Sequence, residues 1–357
     1  MRVRVLIVGP SLDILGGQAV QAQRLLMGLA SSQKVEVSFL PVNPRLPGPL
    51  RLLQSIKFVR TVVTSIAYWA SLLWRVPRVD VVHAFSASYC SYLLAPLPAL
   101  LAARLFGRPG ILNYRSGEAA DHLMNWPLSR RSIASVPNLV VVPSGYLVSV
   151  FAAFGIAAQA IPNFVPLDSL PYRQRTRVRP VFLSNRNLEP LYNVACTLRA
   201  FRIVQNRFPD AQLMVAGDGS QRDELEAMCQ GLCLQGVSFL GKLNSAEIAA
   251  LYDRCDIYLN SPNIDNMPTS ILEAFACGLP VVTTNAGGIP YIVEDGRNGL
   301  MVAVGDSEAL AHAALRLLDD QTLCVQLADD ARAECESRFV WSKVKIAWED
   351  CYLRLSR

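Results

Sequence analysis

The chain has 357 residues, 52% hydrophobic and 18% charged, which is long enough for two cores and too apolar for a disordered or low-complexity protein. Nine Cys without a C-x-x-C pair and only three His argue against a zinc site or a disulfide scaffold, and for reduced thiols in a cytosolic protein. Charge is split unevenly, with seventeen Lys and Arg against six Asp and Glu up to residue 175, a net +11 in a chain whose total is +5. A basic half of this kind fits nucleic acid or an anionic surface. Its basic and aromatic residues do not interleave on a nucleic-acid motif, so no nucleic-acid partner is expected.

Residues 2–8 form a first β-strand, too short an apolar run for a signal peptide. The loop 9–18, which holds Gly16 and Gly17, turns into an amphipathic helix over 19–30; a glycine loop after a strand can cradle phosphate but is a weak signal alone. A strand at 35–40 and a Pro/Arg-rich loop at 41–51 follow. The apolar run Thr61 to Trp74 is preceded by Arg45, Arg51, Lys57 and Arg60 and followed by Arg75 and Arg78. It is shorter than the ~20 residues that span a bilayer. With Tyr68, Trp69 and Trp74 it fits a helix at a membrane interface or, equally, a buried helix with a basic end. A strand over 79–84 carries His83 near its carboxyl end, where open α/β sheets bind ligands. The strand 109–114 opens onto Arg115, Ser116, Gly117 and Glu118, with Asp121 and His122 next.

Residues 166–180, rich in Pro and Arg and without apolar periodicity, read as a linker. A second βα series then begins with a strand at 181–184, a loop holding Arg186, Asn187 and Tyr192, and a helix at 194–207. A strand at 211–216 ends in Gly217-Asp-Gly219, and further strand and helix patterns reach residue 259. Between 260 and 290 the signals are densest. Asn266 reads as an N-cap with Pro268 just inside the first helical turn. The amides of Thr269, Ser270 and Ile271, with two hydroxyls beside them, would then form a phosphate seat at the positive end of a helix dipole. Asp265 and Glu273 flank that seat and would repel an anion unless they face sugar hydroxyls. Gly278 closes the helix, Pro280 to Thr284 forms a strand, and Gly287-Gly288 forms a turn. Helices at 308–318, 322–338 and 340–355 complete the chain.

The spacing Asp265-x7-Glu273, followed by Ala274-Phe-Ala-Cys-Gly278-Leu-Pro-Val-Val, Gly287-Gly-Ile-Pro290 and Asp295-Gly-x-Asn-Gly299, resembles the retaining family 4 glycosyltransferases of the GT-B fold. The resemblance spans the chain and is strongest from about residue 140. It implies an α/β protein of two Rossmann-like, doubly wound parallel-sheet domains facing across a cleft. The implied boundaries are 1–168 for an acceptor-side domain, 176–339 for a nucleotide-sugar domain and 340–357 for a helix returning to the first. It also implies that Gly16, Gly17, Asn187, Tyr192, Gly217, Gly219, Met267 and Pro268 line the donor site. Thr269, Ser270, Ile271 and Arg186 would hold the phosphates, Glu273 the ribose, and Asp265 the donor sugar.

Three positions depart from the family pattern: Asp265 stands for Glu, Arg115 for His and Tyr192 for Lys. Arginine cannot act as a base because it stays protonated. It binds phosphate bidentately, so Arg115 points to an anionic acceptor or a leaving diphosphate, with Glu118, Asp121 and His122 as the available substitutes for the missing His. Asp265, Arg115, Glu118 and Arg186 are the catalytic candidates. The expected activity is a metal-independent hexosyl transfer from a nucleotide-diphosphate sugar, the co-substrate, to a glycan or lipid-linked acceptor in bacterial surface polysaccharide or glycolipid synthesis. No cofactor and no metal are expected, since there is no Asp-x-Asp and the leaving charge would be met by helix dipole, amides and Arg. The expected location is cytoplasmic with peripheral contact at the inner membrane face. The alternative is a catalytically impaired GT-B-fold binding or partner protein that senses a sugar nucleotide or a lipid-linked glycan.

Overall fold

The computed structural model describes residues 2–12, 17–46, 48–56 and 59–356. The chain divides into two compact units, one running to Asn163 and resuming at Trp341, the other Phe164–Val340. The first unit contains β1 (Val3–Gly9), α1 (Gly17–Ala30), β2 (Val35–Pro41), α2 (Val59–Arg75), β3 (Val81–Ser86), α3 (Cys90–Leu94), α4 (Pro96–Leu105), β4 (Gly110–Tyr114), α5 (Ala119–Asn125), α6 (Pro127–Ser135), β5 (Leu139–Val142), α7 (Gly145–Ala153) and β6 (Gln159–Ala160). Its six parallel strands lie in the order β2-β1-β3-β4-β5-β6. Helices on both faces bury these strands, so their sequences read as apolar runs rather than alternations. The order reverses between β1 and β3.

The second unit contains β7 (Val181–Asn185), α8 (Val194–Arg207), β8 (Gln212–Ala216), α9 (Arg222–Gly231), β9 (Val237–Gly241), α10 (Ser245–Arg254), β10 (Ile257–Asn260), α11 (Thr269–Ala276), β11 (Val281–Thr284), β12 (Leu300–Val302), α12 (Ser307–Asp319) and α13 (Gln321–Arg338). Its strands, also parallel, run β12-β11-β10-β7-β8-β9, with the reversal between β7 and β10. Crevices at such reversals, beyond the carboxyl ends of the strands, are where doubly wound sheets take ligands. The last helix, α14 (Trp341–Leu355), belongs to the first unit, where Glu349 accepts from Ser32 Oγ at 2.7 Å and pairs with Lys34 at 3.2 Å.

Several expectations need correction. The first unit ends at Asn163, not 168, because Val165 donates to the Phe339 carbonyl at 2.9 Å while Leu167 and Leu170 pack on the second core. Nor is 166–180 a loose linker. Arg175, only 3% exposed, donates to the carbonyls of Tyr252, Cys255 and Cys277. Buried Asp256 gathers Arg173 at 2.5 Å and Arg179 at 2.6 Å. Burial alone would raise the Asp256 carboxyl, but the hydrogen bonds from Arg179 and Arg173 outweigh it and hold its pKa below the usual range.

His83 does not reach toward a ligand. It is fully buried, with Nδ1 2.8 Å from Tyr352 Oη, Nε2 3.0 Å from Asn113 Nδ2, and its ring stacked 4.7 Å from Trp348. It ties β3 to α14. On α2 the expected aromatic trio divides: Trp69 and Trp74 are exposed, whereas Tyr68 is buried and donates to the Ala95 carbonyl at 2.7 Å. Among the described residues no helix is long and apolar enough to cross a membrane.

Candidate functional site

The loop from β10 and the start of α11 begin the site. Asn266 is not the N-cap; the helix opens at Thr269 with Pro268 at the cap in extended conformation (φ −65°, ψ 115°). The Ile271 amide donates to the Pro268 carbonyl at 3.2 Å, so that member of the expected phosphate seat is already satisfied. The Met267 side chain is buried in the second unit's core, as its apolar character dictates, which leaves its backbone as the part that could line the donor site. At the other end, Leu279 and Gly278 donate to the carbonyls of Ala274 (2.9 Å) and Phe275 (3.1 Å), a Schellman closure that requires the left-handed φ of +71° at Gly278. The Gly288 amide donates to the Asp265 carbonyl at 2.9 Å, which fastens the glycine turn to the loop.

Arg186 leaves β7 directly beside this helix start. It forms an ion pair with Asp265, donates Nη1 to Ser270 Oγ at 3.2 Å and lies 4.1 Å over the Tyr192 ring. The side chains of Arg186 and Asp265 are only 10% and 11% exposed. Burial alone would lower the guanidinium pKa, but Asp265 and the phenols of Tyr192, Tyr258 and Tyr252 outweigh it, so Arg186 stays fully cationic. Tyr192, where a Lys was expected, thus supplies a π face rather than a second charge.

Glu273, one turn into α11 and 9% exposed, accepts from Tyr252 Oη at 3.1 Å. That hydroxyl also reaches the Ser270 carbonyl at 3.0 Å and accepts from Asn185 Nδ2 at 3.2 Å. Burial, then Glu273, pushes the Tyr252 phenol well above its ordinary value, so it serves as a permanent donor. Tyr258, raised to about 12 chiefly by burial, donates to the Asn185 carbonyl at 3.3 Å. Tyr252, Tyr258 and Asn185 were missed in the sequence because they sit inside apolar elements. The available signal was the need of a buried tyrosine hydroxyl for a partner.

Gly217 and Gly219 shape the Arg186 loop. A Cβ on Gly217 (φ +128°) would collide with the Arg186 carbonyl, and one on Gly219 with the Leu188 carbonyl. That close approach lets Arg186 and Leu188 donate to the carbonyls of Ala216 (3.0 Å) and Asp218 (3.1 Å). Asn187 is exposed, with its backbone against Gly217. Gly16 lies outside the described residues, and Gly17 is the first residue of α1 rather than part of the preceding loop.

The remaining candidates belong to the first unit. Arg115 is half-buried at the end of β4, where its Nη1 donates to Asn113 Oδ1 at 3.3 Å. Glu118 is also half-buried, stands before α5, and its amide donates to Ser116 Oγ at 3.3 Å. His122 is buried, 2.9 Å from Tyr114 Oη, and Asp121 accepts from Tyr89 Oη at 2.6 Å. Among the described residues no three His, Cys, Asp or Glu side chains converge as a metal-binding group.

A family model described as "Glycosyl transferases group 1" matches residues 173–334, most of the second unit including the whole Arg186–Asp265–Glu273 constellation. That segment of the chain is similar to this family. The chain is 29% identical over 296 residues to glycogen synthase of Mycobacterium tuberculosis, covering 78% of the chain and 70% of that protein. It is 33% identical over 199 residues to phosphatidyl-myo-inositol mannosyltransferase of Mycobacterium leprae, covering 54% of the chain and 52% of that protein. In fold the chain is similar to Anabaena HepE, solved in complex with UDP-glucose, with a TM-score of 0.79 and 19% identity over 98% and 99% of the two chains. The two Rossmann-like units are those of the GT-B fold.

Proposed function

We propose that this protein is a glycosyltransferase, a retaining, metal-independent hexosyltransferase that takes its sugar from a nucleoside diphosphate donor and passes it to a hydroxyl of a glycan or lipid-linked acceptor. The observation that carries the proposal is the convergence of Arg186, Ser270, Asp265 and Glu273 at the start of α11, beyond the β7–β10 reversal. A diphosphate entering there meets a guanidinium and the positive end of a helix dipole, the groups that stabilise a leaving phosphate. Glu273, held by Tyr252, accepts from the ribose hydroxyls. Asp265 keeps Oδ2 on Arg186, and its Oδ1, which accepts from the Asn266 amide at 2.7 Å, has lone-pair capacity left for a hydroxyl of the donor sugar. Transfer breaks the bond from the anomeric carbon to phosphate and forms the bond to the acceptor oxygen on the same face, and the departing phosphate takes the acceptor proton. The relatives support a nucleotide-sugar donor, since HepE was solved with UDP-glucose, and a lipid acceptor, since the M. leprae relative is named for one.

The acceptor is met at the inner face of a bacterial membrane. Residues 37–117 carry nine Lys and Arg and a single acidic residue, Asp80, which Arg4 already holds at 2.7 Å. Within that stretch α2 exposes Val62, Ile66, Trp69 and Leu73, an apolar face at helical spacing that suits an anionic lipid surface.

Thermal-shift titration against nucleoside diphosphates and nucleotide sugars tests the donor site. Glu273→Ala removes the stabilisation by the preferred nucleoside diphosphate; an undiminished shift in that variant would refute the ribose assignment. Release of free sugar from the stabilising nucleotide sugar separates an enzyme from a protein that only binds.

A further inference from the structure

Two buried guanidinium groups of the second unit are met by carboxylates: Arg175 and its neighbours by Asp256, and Arg186 by Asp265. Arg115 is not. It is half-buried, lies 5.5 Å over the Phe85 ring and spends one side-chain donor on Asn113 Oδ1. Among the described residues no carboxylate comes within ion-pairing distance of it, and burial pulls its pKa down to about 10. An arginine has five N–H donors in a rigid fork. Most of this fork is unspent on a charged partner.

Its surroundings keep it that way. Asn113 donates Nδ2 to His83 Nε2, which makes Nε2 the acceptor and leaves the Nδ1 proton for Tyr352 Oη. With that amide fixed, Asn113 turns its neutral oxygen toward Arg115. His83 itself, pushed down to about 3 by burial and then by Arg115, remains uncharged. The position is also where a ligand belongs in this sheet. The Ser86 carbonyl at the end of β3 accepts from the Arg115 amide at 3.1 Å and from Gln18 Nε2 at 3.3 Å. The end of β4 and the first turn of α1 therefore meet at the β1–β3 reversal.

We infer that Arg115 is the anion-binding group of the first unit and that its ligand is a phosphate group, carried by the acceptor or by the donor. The inference deepens the proposed transfer and rests on it only for the identity of the molecule that brings the phosphate. A buried cation without a counter-ion destabilises the empty protein and is relieved when an anion arrives. The guanidinium fork matches phosphate bidentately, which an ammonium does not.

The test is the stabilisation of the full chain by inorganic phosphate, measured against chloride at constant ionic strength. Wild type is compared with Arg115→Gln, Arg115→Lys and Arg186→Gln. Loss of a charge-assisted hydrogen bond weakens phosphate binding about tenfold or more in Arg115→Gln. In phosphate-free buffer that same variant melts at or above the wild-type temperature, which loss of a purely structural contact would not produce. Arg115→Lys retains part of the effect, and Arg186→Gln retains the component that depends on Arg115. An equal phosphate effect in wild type and Arg115→Gln overturns the inference, as does a phosphate effect abolished by Arg186→Gln alone. UDP titrations of the same proteins separate the two sources: weaker UDP binding in Arg115→Gln identifies the donor diphosphate, and unchanged UDP binding identifies the acceptor. Failure of every nucleotide to bind would sink the transferase proposal while leaving the phosphate measurement to decide on Arg115.

Discussion

Two arginines with similar burial and different partners define the chemistry of the two units. Arg186 has Asp265, so an incoming phosphate must share the guanidinium with a carboxylate, but it also has the face of Tyr192 at 4.1 Å, which no anion displaces. A desolvated cation–π contact is worth about 2 kcal/mol or more. Tyr192→Ala should therefore lower the melting temperature of the empty protein and, by leaving the Arg186 guanidinium less firmly placed, also weaken nucleoside diphosphate binding. Tyr192→Phe should bind nearly as wild type, because the ring remains. Equal loss in the two variants would assign the effect to the hydroxyl instead. Arg186, Asp265 and Glu273 were singled out in the sequence through the family resemblance that their motifs carry, and the structure brings Arg186 and Asp265 together. The burial of the Met267 side chain was not legible, because an apolar residue in a polar loop reads the same whether it points into the core or into a pocket. Tyr252 was illegible because its importance lies in a hydrogen bond to Glu273 on a different helix.

At the scale of elements, α14 is held to β3 through a histidine that must stay neutral. His83 is enclosed by Phe85, Trp348, Tyr352 and Asn113, and the charged group that acts on it is Arg115. Its pKa falls from 6.5 in the unfolded chain to about 3 in the folded one, so the folded state binds fewer protons between those values. The stability contributed by the neutral ring is complete above pH 6.5 and is lost as pH falls toward 3, by at most about 1.4 kcal/mol per pH unit. His122, also lowered by burial, adds to the same slope. Urea midpoints measured from pH 7 down to pH 4 should fall steeply in wild type and less steeply in His83→Gln, which starts from lower stability at pH 7. Parallel slopes would show that His83 titrates normally and that its enclosure is looser than the geometry indicates. The elements themselves were readable in the chain, since apolar periodicity is local. The opening of α11 was misjudged by a few residues because Asn266 and Pro268 both carry start signals, and the carbonyl of Pro268 caught the Ile271 amide.

Across the whole molecule the decisive quantities are charge and exposed apolar surface. The basic excess of the first unit coincides with the exposed face of α2, and either feature alone would be ordinary. The double variant Ile66→Ser with Trp69→Ser should lose most sedimentation with vesicles containing a third anionic phospholipid, while its nucleoside diphosphate shift stays at the wild-type value. Binding of wild type should weaken as salt rises and be slight on purely zwitterionic vesicles. Salt-independent binding, or binding unaffected by the double variant, would remove α2 from the interface.

The sequence by itself determined the two βα series, the basic first half, the strand ends that bear Arg115 and Arg186, and the turn-to-helix spacing of Asp265 and Glu273. Each of these depends on residues within a turn or two of one another. Tertiary structure alone decided that Arg186 pairs with Asp265, 79 residues away, that His83 meets Tyr352, 269 residues away, and that Arg115 meets no carboxylate among the described residues. Parallel strands pair only through crossovers, so the order in which they line up, and with it every neighbour at their carboxyl ends, is settled by packing of the whole sheet and leaves no mark in the local pattern.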